Sequence, residues 1–152
     1  MESKLSQIKL TGKWFRQYIV IMSFYFFDYL STIYNIQKPS QEWNRIARFL
    51  MIYFDSTFIG MTLFFFGLAL GYYAIHIWWS GKIEITKQET GKELNMLLKI
   101  NFIGSSFICS SEFGFAATSW FWRFPVFYKM LLGFLLYYLI DKYWISNTML
   151  KP

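Results

Sequence analysis

Four apolar segments, each about 20 residues or longer, divide the chain and limit what it can fold into. They cover residues 17–36, 56–79, 97–122 and 125–145. A helix that crosses a membrane needs about 20 mostly apolar residues, so each segment is long enough. Only 16% of the residues are charged, whereas soluble domains carry roughly 25%. The sequence therefore predicts one all-α integral membrane domain over residues 1–152, a four-helix bundle of four transmembrane helices.

Tryptophan and basic residues support these spans and orient them, because tryptophan prefers the membrane–water interface and lysine and arginine favour the inner side. All seven tryptophans lie at or just beyond a predicted span end: Trp14, Trp43, Trp78, Trp79, Trp120, Trp122 and Trp144. Nine basic residues fall on the side of the termini: Lys4, Lys9, Lys13, Arg16, Lys82, Lys87, Lys92, Lys142 and Lys151. Four fall on the other side: Lys38, Arg45, Arg48 and Arg123. This asymmetry predicts that both termini lie inside.

The loops carry local signals. Residues 41–55 predict an amphipathic helical start of span two, with Ser40 as its N-cap. A continuous helix over 41–79 would be about 58 Å long, against a bilayer core of about 30 Å, so it either bends or projects. "TGKE" at 90–93 predicts a capping box. "RFP" at 123–125 leaves only a tight turn, which makes spans three and four an antiparallel hairpin.

Small residues at fourfold spacing predict helix-packing faces, because transmembrane helices associate through close backbone approach. One such stripe lies in span two and another in span three, whereas Gly133 stands alone among larger residues. The stripes allow two interpretations, packing within this bundle or docking of a partner's helix. Their members are Gly67 and Gly71 in span two, and Ser106, Ser110, Gly114 and Thr118 in span three.

Ionisable residues inside the predicted spans suggest an intramembrane polar cluster of Asp28, Thr32, Glu112 and Lys129. A charge at the bilayer centre costs about 2.5 to 3.5 kcal/mol, so such residues should face the protein interior, pair, or become neutral. Thr32 lies one helical turn after Asp28 and could donate to its carboxylate. Lys129, on the opposite arm of the hairpin, is the expected partner of Glu112. The cluster is either a proton, ion or headgroup site, or a structural element that fixes helix register.

Residues that usually carry catalysis or bind metals are sparse. The single cysteine, Cys109, lies in an apolar segment and is expected to be a buried, inert thiol. His76 has no Cys, His or acidic residue three or four positions away, so we expect an interfacial histidine and no metal site. The sequence contains no nucleophile elbow, P-loop or HExxH motif. It therefore predicts no enzyme activity and no cofactor other than bound phospholipid.

The net charge of +6 does not indicate nucleic acid, because the basic residues are spread over several loops rather than gathered on one face. In a membrane protein the same charges predict contact with anionic lipids. The first sixteen residues are polar and basic and give no sign of a cleaved signal peptide. We expect an integral membrane protein of a prokaryotic cell membrane or an organelle inner membrane, and not a secreted protein.

Residues 28–44 resemble a family of small prokaryotic multi-span membrane proteins of unknown function. That family has Asp and, four residues later, Thr in its first helix, then a Glu-x-Asn-Pro loop that opens the next helix. Asp28, Thr32, Glu42 and Asn44 stand at those positions, and Arg45 replaces the proline. The resemblance implies a compact helical bundle, with Lys129 as the lysine of a later helix. It implies no activity.

Two functions fit these features. The first is an accessory subunit of a larger membrane complex, such as a respiratory or other membrane-bound oxidoreductase assembly, with other membrane subunits as partners. The small-residue faces, many aromatics and lack of catalytic motifs favour it. The alternative is a self-contained small transporter or lipid-handling protein whose polar site is formed by Asp28, Glu112 and Lys129.

Overall fold

Helices form nearly all of the described structure, a computed structural model that describes residues 12–89, 91–120 and 123–146. Side chains are described over 12–86, 95–118 and 123–146. No strand occurs in these ranges, so the all-α fold class is confirmed for this part of the chain. The elements are α1 (Lys13–Asn35), a 3₁₀ turn (Pro39–Gln41), α2 (Arg45–Tyr53), α3 (Thr57–Glu89), α4 (Gly91–Trp120), α5 (Val126–Ile140) and a π-helical turn (Asp141–Ile145).

Each predicted apolar segment coincides with a helix, but the helix ends differ. Helix α1 begins at Lys13, before the predicted residue 17, and α3 runs on to Glu89, well past residue 79. Apolar composition marks only the stretch suited to hydrocarbon, whereas backbone hydrogen bonding carries a helix on into polar sequence. The predicted capping box at 90–93 depends on side chains outside the described part of the chain.

A break separates α2 from α3, so the helix is not continuous over 41–79. Asp55 adopts a φ of 48° within this break, a left-handed conformation that aspartate tolerates better than most residues. Beyond the break, a Cβ on Gly60 would lie 2.4 Å from the backbone nitrogen of Met51. Helix α2 therefore folds back onto the first turns of α3, with the two backbones in direct contact.

The other helices pack around α1 and the antiparallel pair α4–α5. Phe102 of α4 packs on Tyr137 of α5, and Ser110 of α4 donates to the carbonyl of Met130, so the chain reverses between the two helices. The largest buried cluster joins α1, α4, α5 and the π turn through Val20, Ile21, Phe24, Cys109, Tyr137 and Ile145. Cys109 is fully buried, as its apolar surroundings predict.

Among the described helices, α3 alone is both long and apolar enough to cross a membrane by length and composition, over Thr57–Thr86 with a mean hydropathy of 1.8. Helix α1 is interrupted by Gln17, Asp28 and several tyrosines, which lower its hydropathy. Helix α5 has 15 residues before the π turn begins. By helix length and hydropathy, the described structure thus supports one membrane span. The four apolar segments of the sequence predict four.

Candidate functional site

Asp28 lies midway along α1 and is partly buried. Its carboxylate is within electrostatic range of Glu42, in the loop before α2, and of Glu112 on α4. The predicted hydrogen bond from Thr32 is not formed: the described structure places no bond between these side chains, and the backbone carbonyl of Thr32 accepts from Ile36. Electrostatic interactions thus link Asp28 with Glu42 and Asp28 with Glu112, and we call these three acids the carboxylate site.

Glu42 and Asn44, the two loop positions of the family resemblance, build the N-terminus of α2. The Asn44 side chain accepts from the backbone N–H groups of Ile46 and Ala47, at 3.0 and 3.3 Å. The Glu42 carboxylate accepts from the Asn44 backbone N–H at 2.6 Å. The backbone carbonyl of Glu42 accepts from the Arg48 guanidinium. Both side chains therefore have a structural role as caps.

The predicted N-cap at Ser40 is wrong. Ser40 lies in the 3₁₀ turn Pro39–Gln41, and α2 begins only at Arg45. Asn44 supplies the cap because the chain leaves the 3₁₀ turn in extended conformation, and its short side chain reaches the first free N–H groups. Arg45 takes the first helical position, where the resembled family has proline.

Glu112 meets tyrosines rather than a cation. The Tyr25 hydroxyl interacts with its carboxyl group, and the Tyr25 ring lies 5.3 Å from that of Tyr72 on α3. Cys109, one turn earlier on α4, lies in the same region. Tyr25 and Tyr72 are two of many aromatic residues in this sequence, so the sequence offers no signal that they lie near Glu112.

The predicted pair between Glu112 and Lys129 is wrong: the groups that act on Glu112 are Asp28 and Tyr25. Ser110 and Gly114 face α5 through Met130. Each lies two residues from Glu112, which is about 200° around a helix. Glu112 therefore points toward α1, away from the helix that carries Lys129. Lys129 is buried at 5% exposure.

A second polar cluster, which the sequence reasoning missed, joins three helices. The amide nitrogen of Gln17 donates to the Ser105 hydroxyl and to the Tyr137 hydroxyl, both at 2.9 Å. The amide oxygen of Gln17 accepts from Asn101 at 3.0 Å. We call these four residues the Gln17 network. Gln17 is 1% exposed and Tyr137 is fully buried. The one sequence signal for this cluster was the polar side chain of Gln17 at the start of the apolar segment 17–36.

The two small-residue stripes differ in what they contact. In the α4 stripe, the Ser110 hydroxyl donates to the Met130 carbonyl at 2.6 Å, and a Cβ on Gly114 would lie 2.5 Å from Met130 Cγ. Ser106 is buried, and its hydroxyl donates to the Ile103 carbonyl within the helix, as Thr118 does to Gly114.

The glycines of the α3 stripe lie open. No described atom lies within 4 Å of a Cβ built on Gly67 or Gly71. The expectation that Gly133 is isolated is wrong, since its Cβ would meet Phe113 Cβ at 2.7 Å and Ser110 Cα at 3.1 Å. Helix α5 therefore covers Ser110 and Gly114 of the α4 stripe, whereas Thr118 is exposed. The glycines of the α3 stripe have no partner within the described residues.

His76 is buried at 6% exposure, and its ring lies 6.2 Å from Tyr18 on α1. Its place at the membrane interface stays a prediction, because burial between helices does not fix the depth in a bilayer. Within the described part of the chain its Nε2 has no hydrogen-bond partner. The described residues also contain no group of three His, Cys, Asp or Glu side chains arranged to hold a metal ion.

Comparisons with protein-family models, with curated proteins and with solved structures gave no match. The family resemblance of residues 28–44 therefore remains a prediction. Its polar positions nevertheless have a physical account here, because Asp28 and Glu42 share the carboxylate site and Asn44 caps α2.

Proposed function

We propose that this chain is an accessory subunit of a larger membrane complex, held in the bilayer by four helices with both termini on the same, basic side. The open glycine face of α3 is the observation that carries the proposal. Support for the membrane setting comes separately, from the distribution of polar and apolar side chains over the whole bundle.

Polar groups lie inside this bundle and large apolar groups lie outside it. Soluble monomers rarely expose contiguous apolar patches larger than a few hundred Å². Here the outer face of α5 consists of exposed leucines and aromatics, and α3 exposes Phe66 and Leu70 at 59% and 71%. In contrast, Gln17, Ser105, Ser106, Ser110 and Lys129 are buried. Such an arrangement suits a hydrocarbon environment, in which interhelical hydrogen bonds and close backbone approach hold helices together.

The open face of α3 is formed by Gly67 and Gly71, and its exposed flanking residues include Leu63, Leu70 and Ala74. Glycines at close helix contacts elsewhere in the bundle are covered: Gly60 by α2, Gly114 by Met130 and Gly133 by α4. A glycine pair four residues apart is the spacing at which two transmembrane helices approach most closely. A partner's helix is the occupant that this face fits.

Purification in mild detergent tests the proposal against a self-contained function. An accessory subunit is expected to migrate with larger partners in fixed stoichiometry. If the chain purifies instead as a homogeneous monomer with no partner, the accessory-subunit proposal is wrong.

The proposed topology predicts the side from which single cysteines react. In a Cys109→Ala background, Leu5→Cys and Gln88→Cys are expected to be labelled by an impermeant maleimide from one side of the membrane. Ser40→Cys is expected to react from the other side only. If all three react from the same side, the four-span arrangement is excluded, because the basic-residue asymmetry places these positions on opposite faces.

The carboxylate site favours a second candidate function, a small transporter or lipid-handling protein. Asp28 is within electrostatic range of Glu112, and the Tyr25 hydroxyl interacts with Glu112. Intramembrane acids of this kind often mark proton or ion pathways. Under the accessory-subunit proposal they fix the register of α1 against α4 instead.

Asp28→Asn distinguishes these two roles. Asparagine keeps the size and polarity of aspartate but neither carries charge nor exchanges a proton. The accessory-subunit proposal predicts normal recovery of the complex with near-normal activity of the assembly, because the substitution removes a charge that two other acids disfavour. A variant that assembles normally but is inactive would show instead that Asp28 acts as a proton or ion site.

A further inference from the structure

An apolar groove runs along the outside of the bundle between α1 and the end of α5. Its volume is about 400 Å³, and it is lined by Ile19, Val20, Ser23, Phe24, Ile140 and Trp144. The one hydroxyl in this lining is occupied within its own helix, since Ser23 donates to the Ile19 carbonyl at 2.8 Å. The groove lining therefore suits an apolar occupant and offers it no hydrogen-bonding group.

A cationic residue, Arg16, lies at one end of this groove. The Arg16 guanidinium carbon is 5.8 Å from the centre of the Trp144 ring, and its Nη1 donates to the Trp144 carbonyl at 3.0 Å. Ile19 and Val20 follow Arg16 by three and four residues, so these side chains share one face of α1. The Lys13 ammonium lies elsewhere, 5.7 Å from the centre of the Trp14 ring.

The π-helical turn helps to form this end of the groove. Ser146 N–H bonds to the Asp141 carbonyl at 2.7 Å, which widens the last turn and buries Ile145 completely. Trp144 is left at the surface, 46% exposed, with its ring over the groove and its carbonyl turned to Arg16. The Asp141 carboxylate, the acid on this turn, is engaged by the Ser146 hydroxyl at 3.2 Å.

We propose that this groove binds one anionic phospholipid, with an acyl chain along α1 and the phosphate at Arg16. The charge of Arg16 selects an anionic headgroup, and the apolar lining selects the chain. Tryptophan beside a basic residue is typical of the headgroup level of a membrane. The inference rests on the proposed membrane location but not on the open face of α3, which belongs to a different surface.

Lipid titration of the purified chain, followed by native mass spectrometry, tests this site. We expect phosphatidylglycerol to bind as a single adduct, and phosphatidylcholine with the same acyl chains to bind about fivefold more weakly, since a basic residue attracts anionic lipid by about 1 kcal/mol. Arg16→Gln should weaken phosphatidylglycerol binding by a similar factor. Arg45→Gln, on exposed α2, is the matched control and should leave the affinity unchanged. Inorganic phosphate in excess should not displace the lipid, because it offers no chain to the groove.

Ser23→Phe gives a second, independent variant, because Ser23 faces outward and a phenylalanine there fills the groove without entering the core. It should reduce binding of both lipids and leave the helix content unchanged. The proposal is overturned if Arg16→Gln and Arg45→Gln bind phosphatidylglycerol equally, if both lipids bind equally to the wild type, or if Ser23→Phe has no effect. Because the assay uses the isolated chain, a negative result would overturn the lipid site without affecting the partner-docking proposal. Loss of the partner-docking proposal would likewise leave the lipid site standing.

Discussion

Gly60→Leu is expected to abolish recovery of the folded chain. A Cβ at this position would lie 2.4 Å and 2.5 Å from the backbone nitrogen and Cα of Met51. Backbone atoms cannot rotate away as a flexible side chain can, so α2 would have to separate from α3. Overpacking of this kind costs typically 1 to 3 kcal/mol, and a clash with backbone should reach about 3 kcal/mol or more.

The measurement is the fraction of protein that elutes as a single species after detergent extraction. Gly104→Leu is the matched control, because no described atom lies within 4 Å of its Cβ position. Full recovery of Gly60→Leu, equal to that of the control, would contradict the close contact between α2 and α3.

Gln17→Leu is expected to destabilise the bundle by leaving the remaining members of the Gln17 network without partners. Leucine is close in size to glutamine but removes the donor to Ser105 and Tyr137 and the acceptor for Asn101. A buried polar group that loses its partner costs about 1 to 3 kcal/mol. In membranes the average hydrogen bond contributes less, so we expect about 1 to 3 kcal/mol for the whole change.

A thermal-unfolding series in one detergent measures this effect. Gln37→Leu makes the same substitution in the exposed loop after α1, where the hydrogen bond to Gln41 comes from the Gln37 backbone and not from its side chain. The two variants should differ by several degrees in Tm. Identical Tm values would mean that the network does not stabilise the bundle.

The helices could be predicted because long apolar segments leave few alternatives to helix, whereas their ends and kinks depend on single residues. The break at Asp55 has no strong breaker such as proline, and it arises because Gly60 lets α2 approach α3 closely enough to fold back. The position of this break therefore depends on the packing of α2 against α3, which the local sequence does not show. Asn44 could have been identified as the cap of α2, since asparagine ranks with serine at this position.

The candidate site was predicted only in part, because apolar periodicity does not show which way a residue faces in a segment that is apolar all round. Asp28 and Glu112 were identified as unusual charges, and the structure places them within electrostatic range of each other. Lys129 was assigned to the wrong neighbour, although the two-residue offset of Glu112 from Ser110 and Gly114 already indicated opposite faces. The Gln17 network was missed because glutamine, asparagine and serine carry no charge to attract notice.

The composition of the complex purified with wild type or Gly67→Leu tests the accessory-subunit proposal most directly. A Cβ at Gly67 would have no atom of another segment within 4 Å among the described residues, so a leucine there should leave the fold intact and block only a closely packed partner helix. Gly104→Leu again serves as the control, since it is an open glycine outside that face. The account predicts larger partners with the wild type and the control, and loss of those partners with Gly67→Leu while the chain itself stays folded. Equal partner recovery with Gly67→Leu, or a wild-type chain that associates only with copies of itself, would contradict it.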